Sequence, residues 1–327
     1  MVLPIICSGL KRSASTWSYN VCRELLVRSL DPSKAVLIAS YATNTDAALQ
    51  RLARRKPDGR RLVALLKAHE VGPWTLAGIR QRKIRNVYTV RDPRDALASL
   101  IRFWPPTDDE PFGTYVRNFQ KWLIQGEAFI EERASLVIRY EDMLEDPRKH
   151  VRAIARYIGL RADERRIAAV DEATSHENLQ AAVARIEGAA EDPEAAFDPK
   201  LQLHRRHLDS GEIGRWRHEL NDEERRKAVV AFLPWLVSLG YEEQGVQDIL
   251  DRLASELRRS CLVRGSDFAR APASANGPCR LRCCSGVHVA GRHGAECADA
   301  RQGALRRPRH DGPLVTLGRE RQAATEG

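Results

Sequence analysis

The sequence predicts an α/β fold, a three-layer sandwich with a central parallel sheet of about five strands flanked by helices. Three observations predict it. Five short apolar runs recur within the first 139 residues. Helical patterns separate them. The charged and hydroxylated motifs sit at or just after the carboxyl ends of those runs. Alternating strand and helix argues for parallel strands covered on both faces. In such sheets ligands bind beyond the carboxyl ends of the strands.

The strand-like runs are 2–7, 35–39, 62–68, 86–90 and 135–139. Between them, helical periodicity covers about 15–30, 45–55, 93–103 and 113–133. After the fifth run the pattern is helical at 147–158, 163–185, 221–238 and 242–258. Asp146-Pro147 reads as a helix start, with Asp as N-cap and Pro in the first helical position. Gly159 reads as the residue just past that helix. Asn221 followed by Asp222, Glu223 and Glu224 starts another, acidic where the helix dipole favours acid.

Residues 1–258 read as one domain and 259–327 as an Arg/Ala/Gly/Cys-rich tail. The chain's net charge of +9 divides unevenly: residues 258–327 hold 13 Arg, no Lys and 6 acids, which leaves +2 for the body. The high isoelectric point therefore says little about the body's partners, and no nucleic acid is expected. The tail's arginines lack the interleaved aromatics of a stacking surface. Its Cys and His residues match no regular spacing of metal-ligand pairs. The tail buries too little apolar surface to offset ordering entropy and is expected to be disordered. No apolar run approaches the ~20 residues of a membrane span, and the N-terminal run is short for a secretion signal and lacks a basic lead-in. A cytoplasmic location follows as the expectation, with Cys7 and Cys22 reduced.

Residues 9–17, Gly-Leu-Lys-Arg-Ser-Ala-Ser-Thr-Trp, join the first strand to the first helix. Such a turn aims backbone amides, hydroxyls and a helix N-terminus at one point, which suits a phosphate-like anion. The loop lacks the Gly-Lys-Ser/Thr of a Walker A motif. A second motif, Arg91-Asp92-Pro93-Arg94-Asp95 with Ser99 two helical turns on, places a forked cation and a hydroxyl at another strand end. Lys67-Ala68-His69 closes the third strand, and Arg139-Tyr140-Glu141-Asp142 the fifth. Ser210-Gly211-Glu212-Ile213-Gly214-Arg215-Trp216 is a glycine-punctuated loop ahead of the last helices.

In order and spacing these motifs resemble the sulfotransferases that use 3'-phosphoadenosine-5'-phosphosulfate (PAPS), in a bacterial-type form related to the cytosolic enzymes. The resemblance spans roughly residues 1–240 and implies a P-loop-like sheet, sulfuryl transfer to a hydroxyl or amine, and no metal requirement. It assigns Lys11, Arg12, Ser13, Ala14, Ser15, Thr16 and Trp17 to the 5'-phosphosulfate loop, and Arg91 and Ser99 to the 3'-phosphate. Tyr140, Thr174, Ser210 and Gly211 fall near the nucleotide. His69 corresponds to the general base, with Arg12 and Lys67 as catalytic cations. Small-molecule, lipid and glycan acceptors all fit, and a homodimer is compatible with the family.

Three departures stand out. Ala14 replaces a loop glycine, Asp209-Ser210 replaces a basic pair, and His176 replaces an aromatic. Arg205, Arg206 and Arg215 are candidates to compensate for Asp209. Alternatives stay open at this stage. Glu70, Asp109 or Glu110 competes with His69 as base. Trp17 is either a core residue or a stacking surface for adenine, and Glu141 either structural or a ligand contact. Aromatics at 103–122 suggest an acceptor wall. A nucleotide kinase and a non-catalytic nucleotide-binding relative are the alternative functions.

Overall fold

The computed structural model describes residues 2–55, 58–108, 111–131, 134–189, 197–204, 208, 210–242 and 315–316. Five strands, β1 (Val2–Gly9), β2 (Ala35–Tyr41), β3 (Arg61–Lys67), β4 (Arg85–Val90) and β5 (Leu136–Arg139), form a parallel sheet in the order β5-β4-β1-β3-β2. Each expected strand is present within two residues of its expected ends. The expected tail lies outside the described residues except for Val315–Thr316. That pair adds a short antiparallel strand to the free edge of β2. The helix expected at 242–258 also lies outside them.

Successive side chains of a strand face opposite ways, and the apolar runs use both faces. Ile5, Cys7, Val63, Leu65 and Val87 face one layer. It is built from α1 (Ser15–Ser29), α6 (Tyr140–Glu145), α7 (Pro147–Tyr157) and α8 (Glu164–Ala173). Ile6, Leu62, Leu66, Tyr88 and Val90 face the other. It is built from α2 (Thr45–Ala53), α3 (Pro73–Arg80) and part of α5 (Phe112–Glu131). Burying each large aliphatic side chain contributes about 1.5–3 kcal/mol, which is why unbroken apolar runs rather than alternating ones fill this sheet. A third cluster packs α4 (Pro93–Phe103) and α5 on α11 (Asp222–Ser238), with Phe119 and Phe232 fully buried at its centre.

The helix starts form as their residues dictate. The Asp146 carboxylate accepts from Lys149 N–H, and Gly159 follows α7 at φ 81°. Asn221 and Glu224 form a reciprocal capping box at the start of α11. The expected helix 163–185 is instead two, α8 and α9 (His176–Ala189), broken at Thr174-Ser175. Thr174 turns its hydroxyl back onto the Val170 carbonyl and ends the first of them. Two-residue strands β6 (Phe197–Asp198) and β7 (Leu203–His204) pair as a hairpin, and a short helix α10 (Trp216–Glu219) precedes α11.

Candidate functional site

At the end of β1 the chain passes so close to β4 that a Cβ on Gly9 would stand 2.1 Å from Thr89 Oγ1. The turn that follows is pinned to β4 by a hydrogen bond from Leu10 N–H to the Thr89 carbonyl. Arg12 and Ala14 take left-handed backbone, at φ 66° and 70°. Turns of this kind gather amide N–H groups into an anion-binding concavity. Helix α1 opens with no side-chain cap and no acid in its first turn. Its leading amides and the positive end of its dipole are thus suited to an external anion.

The strain at Ala14 is measurable. A left-handed alanine costs about 1–2 kcal/mol, part of which glycine would return through the freedom of the unfolded chain. Ala14→Gly is expected to raise the unfolding free energy by about 0.5–1 kcal/mol in urea denaturation.

The loop's side chains divide into two groups. Arg12 donates from Nε to Ser99 Oγ at 3.0 Å and stacks its guanidinium 5.0 Å from the Phe103 ring. The expected 5' and 3' sites therefore touch each other. Lys11 lies over Trp122, 3.8 Å from the ring centroid. Ser15 and Thr16 are buried in the first turn of α1. Trp17 is half-buried between the core under α1 and the cluster around α9 and β7. Ser13 departs from its expected role. Its hydroxyl lies 2.5 Å from the Leu10 carbonyl and 2.9 Å from the Thr89 carbonyl, so it closes the turn instead of facing a ligand.

Arg91 follows β4 directly and is buried beneath the glycine loop. Its guanidinium donates to the Glu212 carbonyl at 2.7 Å, packs 4.2 Å over the Tyr140 ring, and keeps a buried Nε–H with no partner. Tyr140 OH donates to the Gly211 carbonyl at 3.0 Å. Gly211 sits at φ 73°, where a Cβ would also come within 2.8 Å of that hydroxyl. Asp95 is the residue that the sequence reading missed. It reads as part of a salt-bridged helix start, and its fully buried carboxylate does lie 3.9 Å from the Arg91 guanidinium, but it also accepts from Gly214 N–H at 2.7 Å and Trp216 N–H at 3.1 Å. Asp95 latches the glycine loop over Arg91.

Several expected ligand groups are engaged elsewhere. The Thr174 hydroxyl serves its own helix, as above. Ser210 is exposed and accepts from Glu212 N–H at 3.4 Å. Glu141 is structural: one oxygen accepts from Asp92 N–H and the other from Tyr241 OH. Arg215, a candidate replacement cation, forks onto Glu219. Arg205, Arg206 and Asp209 lie outside the described residues.

Lys67 and His69 stand at the mouth of β3. Lys67 is 4% exposed, and its ammonium meets no carboxylate among the described residues. Burial, reinforced by Arg12, pushes its pKa down to about 7. His69 is pushed down to about 3 by burial and by Lys67, Lys11 and Arg12, with the Gly9 backbone opposing. Its imidazole is therefore neutral at pH 7, and its buried Nδ1 has no hydrogen-bond partner. Beside it is a cavity of about 10 Å³, bounded by Lys11, Tyr88, Trp122, Gln125 and Phe129. Of the aromatics expected in an acceptor wall, Trp122 lines this cavity, whereas Tyr115 and Phe119 belong to the core. Glu70 is exposed, and Asp109 and Glu110 lie outside the described residues. Among the described residues no three metal-type side chains converge, and no helix is long and apolar enough to cross a membrane.

Comparison with solved structures finds mouse sulfotransferase SULT7A1 complexed with PAP, at 16% identity and TM-score 0.50, covering 72% of this chain and 84% of that one. It also finds retinol dehydratase in complex with androsterone and the inactive cofactor PAP, at 16% identity and TM-score 0.47, covering 71% and 80%. No curated protein matches. At this identity the first likeness speaks for the fold. The sulfotransferase domain family matches residues 6–238, more than half the chain and all of the site just described, and the chain belongs to that family.

Proposed function

We propose that this sulfotransferase moves the sulfuryl group of PAPS onto a hydroxyl or amine, with His69 as general base. The observation that carries this reading is the convergence of an uncapped helix N-terminus, Arg12, the unpaired buried Lys67 and a neutral His69 at one end of the sheet. PAPS, when bound, supplies an activated sulfuryl group whose departure leaves negative charge on the 5'-phosphate.

The first turn of α1, with Ser15 and Thr16, holds the 5'-phosphate. Arg12 and Lys67 stabilise charge developing there, in a site where preorganised cations count for more than in water. Arg91, through its unpartnered Nε–H, and Ser99 recognise the 3'-phosphate. Trp17 offers a half-buried ring to adenine. The His69 imidazole takes the proton that the acceptor oxygen or nitrogen loses as its bond to sulfur forms. Small-molecule, lipid and glycan acceptors remain within this reading.

Two measurements test the donor site. Full-length protein with 3',5'-adenosine bisphosphate at 100 times its Kd should gain about 2.7 kcal/mol of apparent stability. Neither 5'-AMP nor ATP with magnesium should match it at equal concentration. No shift with the bisphosphate overturns the reading. Transfer of labelled sulfate from PAPS to a panel of phenols, lipid alcohols, sugars and amines then identifies the acceptor.

The Asp95 latch makes a further expectation. Asp95→Ala frees two loop amides and lets Arg91 drift. Affinity for 3',5'-adenosine bisphosphate should fall about tenfold to a hundredfold, while affinity for 5'-AMP, which lacks the 3' group, stays nearly constant. Calorimetric titration of both ligands separates this from general loss of fold, which would weaken both.

A further inference from the structure

Far from the donor loops, α7 and α8 enclose a groove of about 590 Å³. That volume falls within the range of small-molecule sites, roughly 300–1,000 Å³. Its position follows from two anchors. Tyr157, in the last turn of α7, donates to the Ala134 carbonyl and accepts from Asn86 N–H, at the amino ends of β5 and β4. Arg166 reaches Ser29 at the far end of α1. The groove therefore lies toward the amino ends of the strands, whereas the donor loops follow their carboxyl ends.

Four arginines line it, Arg152, Arg156, Arg161 and Arg166, against one acid, Asp163. Much of the remaining wall is aliphatic, with Leu160 and Ile167 the largest side chains. Residues 147–167 carry seven bases and two acids. The body's small positive charge is thus the sum of this basic segment and a net acidic remainder.

Among the described residues the two acids pair with only one of the four arginines, Arg152. Asp163 caps α8 by accepting from Arg166 N–H, and Glu164 forks onto Arg152 at 2.7 and 3.0 Å. The Arg166 head is oriented by neutral acceptors, Ser29 Oγ and the Arg161 carbonyl. Arg156 and Arg161 are exposed and meet no carboxylate among the described residues. The positive end of α8 points the same way electrostatically. Guanidinium forks match the oxygens of phosphate and sulfate, and an aliphatic wall beside them matches a hydrocarbon.

We propose that this groove binds an amphiphilic anion, a phosphate or sulfate monoester carried on an apolar body. Sulfate esters made by sulfuryl transfer to apolar alcohols belong to this class, although the groove's chemistry stands apart from any reaction at the carboxyl ends of the strands.

Full-length protein is titrated with decyl phosphate below its micellar concentration and with decanol. It is also titrated with phosphatidylcholine vesicles with and without phosphatidic acid. The variant Arg156→Glu/Arg161→Glu is compared with Arg51→Glu/Arg54→Glu, which makes the same charge change on exposed residues at the carboxyl end of α2. The groove variant should bind the phosphate at least about tenfold more weakly, the control variant as wild type, and decanol should bind neither. Adding 3',5'-adenosine bisphosphate should leave the affinity unchanged. Binding of decyl phosphate alone assigns a soluble ligand; binding of the phosphatidic acid vesicles as well assigns a lipid headgroup. Equal losses in both variants, decanol binding as tight as phosphate, or competition by the bisphosphate overturns the proposal. Unaltered melting by circular dichroism shows that the groove variant is folded.

Discussion

Replacing His69 by alanine is expected to lower kcat by about 10²–10⁴-fold, the usual worth of a positioned general base. Donor affinity should change little, because His69 stands at the end of β3 and not in the phosphate loop. Burial, reinforced by the charges of Lys67, Lys11 and Arg12, keeps the imidazole neutral. A neutral imidazole is ready to accept a proton, but at a pKa of about 3 it is a weak base. A bound anionic donor offsets those cations and raises its basicity toward the working pH. The acid limb of kcat/KM, which reports the free enzyme, should therefore fall well below the ordinary histidine range, and that of kcat should lie higher. Single-turnover kinetics on His69→Ala measure the loss directly. A rate near wild type removes His69 from the chemistry.

Lys67→Met is expected to lower kcat by about 10²–10³-fold, as loss of a preorganised charge-stabilising group does, and at the same time to stabilise the fold. The physical reason is that a buried ammonium without a carboxylate partner costs free energy unless it sheds its proton. The sign can be followed through pH. Folded Lys67 titrates at about 7 against 10.5 in the unfolded chain. Between those values the unfolded chain binds the extra proton, so stability rises as pH rises across that window. Methionine keeps the volume and removes the penalty. At pH 7 the gain should be on the order of 2–4 kcal/mol, and the stability of the variant should rise less steeply with pH from 7 to 10.5. Denaturant titrations at several pH values check both statements. A destabilised Lys67→Met would mean that the ammonium is satisfied in the folded protein.

The sheet was legible because most of its strands are apolar runs, with β4 interrupted only by Asn86 and Thr89, and such runs need burial on both faces. Elements governed by short-range detail were not. Helix α3 has eight residues, a glycine at its N-cap and Gly78 inside it, so its period is too brief to read. The break between α8 and α9 depends on one threonine hydroxyl choosing a backbone carbonyl. In the site, the loop at 9–17 and Arg91 could be placed because strand ends in this architecture converge. The Ser13 hydroxyl misled because a serine beside an anion loop looks like a ligand group until the Thr89 carbonyl is seen next to it. Asp95 escaped notice because its partners, Gly214 and Trp216, lie 119 and 121 residues further on. No local pattern announces a carboxylate that waits for a distant loop.

Of the five parallel strands, β1 is the first in chain order and the middle one in the sheet, paired with β3 on one side and β4 on the other. At 5–20 residues per second, roughly 4–16 seconds pass between the emergence of its end and the completion of β4 at Val90. β3 is complete at Lys67 after about 3–12 of those seconds, so the apolar strand first has no neighbour and then only one, a hazard for aggregation during expression. The anion loop inherits the same delay, since Leu10 and Ser13 both fasten to Thr89. A nascent chain stalled before residue 90 should carry the residues of the 5'-phosphate loop but not its shape, and ligand capture by ribosome-bound chains would date the closure of the sheet.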